Sequence, residues 1–231
     1  MKKKLILISV LAIITTILIY NLFKTNKISF LALGDGVASG MTAYNIEGYS
    51  FNDYLRDHLK GNQKLETYIR DFARKGIRIE ELIIAIENNS EIEFQETKIT
   101  IMQAIANANF ITIAIGSDEV VANTTISKDV ELINNISSQM KILIEKIRAF
   151  SSKTIVIIGL YYSPIYKNSL VDKINANYQI IANNNDCIFL NPKDLLNQTT
   201  HFSTKSSHYA NYKGHEMINN KIISIVNFDS I

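Results

Sequence analysis

"FLALGDGVASG", Phe30 to Gly40, is the stretch whose reading decides the fold. An apolar run ends in Gly-Asp-Gly and passes into small residues and a further glycine, Gly40. A strand that stops in a tight glycine-containing turn is a common mount for a nucleophile, because the turn exposes whatever stands at its tip. The tip here is Gly36, which has no side chain. The mount is present and its nucleophile is not.

Outward from this stretch, apolar runs of strand length alternate with segments of helical periodicity. "ISFLAL" (Ile28–Leu33), "LETYIRDFA", "FITIAIG" (Phe110–Gly116), "TIVIIGL" and "CIFLN" read as strands. "SFNDYLRDHLK", with Ser50 as N-cap, reads as a helix, and so do "IEELIIAIENN", "KITIMQAIANA", "DVELINNISSQMKILIEKIRAF", "LVDKINANYQIIANNN" and "YKGHEMINNKIISIVNF". Continuous apolar strands between helices predict a parallel sheet covered on both faces, a three-layer α/β/α fold of flavodoxin-like type. In such folds the functional crevice lies beyond the carboxyl ends of the strands. The turns to search follow Leu33, Ala73 and Ile115, together with the loop before the last helix.

Composition narrows the classes of function. A formal net charge of +2 over 231 residues, evenly scattered, gives no footprint for nucleic acid. The single cysteine, Cys187, excludes an intrachain disulfide and sits in an apolar run as a structural thiol. "MKKK" precedes an uncharged apolar segment, Leu5 to Phe23, which as a helix reaches roughly 28 Å, enough to cross a bilayer core. The other reading is a cleaved signal peptide. "TILIYNLFK" offers no small-x-small cleavage site and no Cys follows for lipid attachment. The expected organisation is a cytoplasmic N-terminus at 1–4, a transmembrane anchor at 5–23, a linker at 24–27 and a domain at 28–231. Lys2, Lys3 and Lys4 favour a cytoplasmic N-terminus, so the domain is expected outside the cytoplasm, at the cell membrane.

The four turns, taken in order, resemble the signature blocks of the SGNH (GDSL-type) ester hydrolases over roughly Ile28 to Phe228. Gly34-Asp35-Gly36-Val37 with Gly40 is similar to the first block, and places Gly36 where the family has its nucleophilic Ser. "ARKGIRIEEL" supplies Ala73, Gly76 and Leu82 of the second block, so the Gly whose N–H joins the oxyanion hole is kept, while the Thr position is Arg78. Gly116-Ser117-Asp118-Glu119 resembles the third block, with Asp118 in place of the oxyanion Asn. "SSHYANYKGHEMI" aligns with the last block through Asn211 and Gly214, which puts Tyr209 at the His position and Ser206 at the Asp position. "IIGLYYSP" and "IFLNPKDLL" look like the family's fourth and fifth strand ends.

The family's chemistry needs a nucleophile, a base and donors for the oxyanion. Gly36 cannot attack, a phenol with pKa near ~10 is a poor base, and a carboxylate at 118 repels the oxyanion that an Asn would stabilise. Loss of one oxyanion donor alone typically costs ~3 kcal/mol. Two residues are candidate substitutes. Ser39 lies three residues past the tip, where packing or capping is the plainer role. His208 enters the base position if the loop slips by one residue, although the residue three before it is then Lys205. His201 and His215 lack the spacing of a metal site, and neither metal nor cofactor is expected.

Asp35, Gly36, Gly76 and Asp118 are the candidate ligand-binding residues, with Asp118 offering an acceptor for sugar hydroxyls or a cationic head group; Asp35 and Glu119 also have structural explanations. The expectation is a membrane-anchored, extracytoplasmic module, catalytically degenerate, binding a glycan or lipid-like ligand or a protein partner at the cell envelope. The alternatives are a working hydrolase of lipid or O-acetylated glycan esters that uses His208, and a purely structural tether.

Overall fold

A computed structural model describes Thr15 and residues 27–122, 129–202 and 207–231. The sheet is built from strands apolar on both sides. In β1 (Ile28–Gly34), Phe30 and Ala32 enter one core while Leu31 and Leu33 enter the other. The same split recurs in β5 (Phe110–Ala114) and β6 (Thr154–Ile158), where Ile111, Ile113, Ile155 and Ile157 face one layer and Phe110, Ala114, Val156 and Ile158 the other. Such strands are stable only when helices cover both faces.

With β2 (Leu65–Ile69) and β7 (Ile188–Leu190) they form a five-stranded parallel sheet in the order β2-β1-β5-β6-β7. Helices α2 (Phe51–Gly61) and α8 (Tyr212–Ile225) pack together over one face. Helices α3 (Ile79–Glu87), α6 (Asp129–Arg148) and α7 (Asn168–Asn184) cover the other. The expected three-layer α/β/α architecture is present. Chain order reverses between β1 and β5, so the crevice beyond their carboxyl ends is where a doubly wound sheet binds ligands.

Local starts follow the sequence. Ser50 caps α2 through a reciprocal box, its hydroxyl accepting from Asp53 N–H while Asp53 accepts from Ser50 N–H at 2.8 Å. One segment departs from expectation. "KITIMQAIANA" is not one helix: Thr97–Thr100 is β4, paired antiparallel with β3 (Glu91–Phe94), and only Ile101–Asn107 is helical, as α4. The turn is made by Gln95 and Glu96, both left-handed at φ 48° and 64°. Thr100 then starts the helix by capping against Gln103. Among the described residues no helix is long and apolar enough to cross a membrane, and the span expected at 5–23 lies outside them.

His215, expected near the start of the last helix, is fully buried there. Its Nδ1 accepts from Phe51 N–H at 3.3 Å and its Nε2 lies 3.1 Å from the Met41 carbonyl oxygen, so the neutral ring with its proton on Nε2 satisfies both. Burial lowers its pKa to about 4. An unfolded-state histidine titrates near ~6.5, so this neutral ring contributes stability above that pH, and the contribution is lost as pH falls towards 4. The stability advantage of the full chain over its His215→Gln variant is therefore expected to shrink by about 3 kcal/mol between pH 7 and pH 4. Urea unfolding midpoints read this directly; a pH-independent difference would show that the ring titrates alike in the folded and unfolded chain.

Candidate functional site

At the carboxyl end of β1 the chain turns sharply against β5. Gly34 has φ +137°, and a Cβ there would stand 1.8 Å from the Ala114 carbonyl oxygen, so only glycine permits the approach. Asp35 then caps the short helix α1 (Gly36–Ser39), its Oδ1 accepting from Val37 N–H at 2.9 Å. Its Oδ2 accepts from the N–H and the hydroxyl of Ser117, at 2.9 and 2.7 Å, at the start of α5 (Ser117–Ala122). Burial, and after it the charge of Asp118, push the Asp35 carboxyl up from its ordinary range, against the pull of the Ser117 and Val37 hydrogen bonds. Asp35 is completely buried and its carboxyl holds two turns together.

Gly36 is covered. A Cβ at Gly36 would lie 2.3 Å from the Tyr209 hydroxyl oxygen and 2.6 Å from two of its ring carbons. The space a nucleophile's side chain would need is filled by the Tyr209 ring, which is itself buried. The register that places Tyr209 there is fixed from the following helix. Asn211 caps α8 by accepting from Gly214 N–H at 3.1 Å, and a Cβ at Gly214 would stand 2.7 Å from that of Ala210. The loop therefore does not slip by one residue. Tyr209, not His208, enters the crevice.

Asp118 joins three segments. Its Oδ1 accepts from the Tyr209 hydroxyl at 3.0 Å, its Oδ2 accepts from Gly76 N–H at 2.9 Å, and His208 Nε2 lies 3.5 Å from Oδ1, at ion-pair distance. Burial raises the pKa of this carboxyl, but the neighbouring His208 ring and the hydrogen bonds from Gly76 and Tyr209 outweigh it and the net shift is downward. Burial first, and then the negative charge of Asp118, hold the Tyr209 phenol far above its usual range, so it stays protonated. The acceptor expected for sugar hydroxyls or a cationic head group is thus taken by the protein's own donors.

The remaining candidates separate. Ser39 is buried and its hydroxyl donates to the Gly36 carbonyl at 3.3 Å, the packing role, so it is not presented as a nucleophile. His208 lies against Tyr209, ring centroids 3.7 Å apart, with its Nε2 at ion-pair distance from Asp118. Glu119 accepts from Ile79 N–H at 2.6 Å, capping α3 from a distant segment where Arg78 offers no acceptor. Ser206 lies outside the described residues. Among the described residues no group of three His, Cys, Asp or Glu is placed to hold a metal ion.

Sequence reasoning missed two groups. Ser117 carries the Asp35 link, and the Tyr161 hydroxyl accepts from Ala210 N–H at 3.3 Å, steadying the residue after Tyr209. The Gly-x-Asp-Glu context marks the turn that holds Ser117, but no pattern in the sequence assigns its partner.

Among solved structures the fold is similar to the lipase Lip_vut3 from a goat rumen metagenome, with 16% identity and a TM-score of 0.66 over 84% of this chain and 95% of that one. It is also similar to the acetylxylan esterase Axe2 of Geobacillus stearothermophilus, at 12% identity and TM-score 0.64 over 89% of this chain and 98% of that one. An extracellular lipase of Streptomyces rimosus gives 13% identity and a TM-score of 0.60 over 85% and 99%. No protein-family model matches the chain and no curated protein sequence does. The chain has an SGNH hydrolase-like fold, and these likenesses concern the fold alone.

Proposed function

We propose that this chain is a catalytically silent SGNH-fold module, held at the cell membrane by its apolar N-terminal segment, with its folded domain outside the cytoplasm. One observation carries the silence: the Tyr209 ring stands where the side chain of a nucleophile at Gly36 would stand, while the carboxylate of Asp118 takes the Gly76 N–H. A carbonyl carbon has nothing to attack it there, and a developing oxyanion meets a negative charge. The module then works by binding. Its ligand is a glycan or lipid-like molecule of the envelope, received on the rim around the filled crevice, where Tyr44, Ile46 and Tyr212 are exposed. The run Leu5 to Phe23 after Lys2, Lys3 and Lys4 supports the membrane placement.

The pairing of His208 with Asp118 favours a second reading, an esterase whose chemistry has moved. The two readings divide on turnover of short-chain aryl esters by the full chain, with Ser39→Ala and His208→Ala variants beside it. The silent module gives no turnover above buffer in any of the three. Turnover that survives repurification and is abolished in His208→Ala would establish the second reading instead.

A further inference from the structure

The Gly76 N–H has an anion already. It donates to Asp118 Oδ2, and the other oxygen of the same carboxylate takes the Tyr209 hydroxyl. The loop is not forced onto Asp118 by crowding: Gly76 sits at φ +83°, and a Cβ built on it meets no atom within 4 Å. Gly76 is exposed and the Asp118 side chain is 13% exposed, so the contact lies at the mouth of the crevice and within reach of small solutes. In a hydrolase of this fold that N–H would wait for a charge that appears only during reaction. Here a permanent charge is tethered in front of it.

We propose that Asp118 is an internal ligand, an autoinhibitory carboxylate seated on a preserved anion cradle, and that the class of external ligand the cradle takes is a small carboxylate. Two donors converge on the carboxylate from separate segments, Gly76 N–H after β2 and the Tyr209 hydroxyl before α8, with the His208 ring at ion-pair distance beside them. An external carboxylate in solution competes poorly with the tethered one, because tethering gives Asp118 a high effective concentration. The inference rests on the reading of the crevice as a silent centre. It adds that the crevice is closed to anions by occupancy and not only by the missing nucleophile.

The test is a titration of the ¹⁵N-labelled full chain and its Asp118→Ala variant with sodium formate, against sodium chloride at equal ionic strength. In the variant the Gly76 amide resonance moves downfield and saturates, and formate at ten times its dissociation constant raises Tm by about 3 °C. In the unaltered chain the same resonance stays still. A folded variant whose Gly76 amide ignores formate would overturn the proposal, as would an equal response in the unaltered chain. If Asp118→Ala does not fold, the unaltered chain still decides. Acidification neutralises Asp118, and the Gly76 amide should then move upfield in step with the Asp118 carboxyl carbon. The groups facing that carboxyl are His208 and Tyr209 and, through space, Asp35, Glu119, Tyr161 and Tyr166. Independent titration of the two signals would overturn it. Ester turnover is a separate readout, so failure of the silent-centre reading is distinguishable from failure of this one.

Discussion

Replacing Gly36 with Ser in the full chain is expected to yield no ester turnover and to cost about 1–3 kcal/mol of stability. The new Cβ alone would stand 2.3 Å from the Tyr209 hydroxyl oxygen, so the ring must move before the serine can take any rotamer. Even a displaced ring leaves Asp118 on the Gly76 N–H, where it opposes the oxyanion. Restoring the whole set is a different matter. The fourfold change Gly36→Ser, Asp118→Asn, Ser206→Asp and Tyr209→His removes the ring, removes the charge and supplies nucleophile, donor, acid and base in the positions that resemble the family's. That variant is expected to hydrolyse an aryl acetate at least ~10²-fold faster than the single variant, the scale of one restored oxyanion donor. Urea unfolding and initial rates check both halves. Turnover by Gly36→Ser alone would mean that Tyr209 does not hold the crevice as described.

The second large effect is expected at Asp35. Asp35→Ala removes the cap of α1 and leaves Val37 N–H, Ser117 N–H and the Ser117 hydroxyl without their acceptor in a water-excluded turn. Each unpaired buried donor costs about 1–3 kcal/mol. Relief of repulsion from Asp118 offsets part of this, because that charge disfavours an ionised Asp35. The net loss is expected to be about 3 kcal/mol, which for a chain of this size lowers Tm by about 10 °C. Asp35→Asn keeps the shape and one acceptor oxygen and should lose roughly half as much. A change below about 1 kcal/mol in Asp35→Ala would show that the two turns are held by something other than this carboxyl.

The sheet was legible because its strands bury both faces. Ile155, Val156, Ile157 and Ile158 form a run that no half-exposed strand could carry, and the helices between such runs fix a parallel arrangement. Ser50 announced α2 because a capping hydroxyl acts on residues three positions away. The β3–β4 hairpin was not legible. Its turn uses Gln95 and Glu96 in left-handed backbone, where Gly or Asn would have given the signal. That Gly36, Asp118 and Tyr209 depart from the pattern the four turns resemble could be read position by position, since each is a difference of residue type in a recognisable turn. What fills the crevice could not. The Tyr209 ring reaches Gly36 because Asn211 and Gly214 fix the entry into α8, and Asp118 reaches Gly76 across 42 residues of sequence. Both contacts exist only once strands β1 and β5 lie side by side.

The central claim is that no activated hydroxyl faces this crevice. The most direct measurement treats the unaltered full chain with an alkyl fluorophosphonate, which labels an activated serine whatever ester it prefers, and weighs the intact protein. The mass is expected to remain that of the unlabelled chain. Stoichiometric addition of one phosphonyl group, at Ser39 or any other hydroxyl of the crevice, would contradict the account.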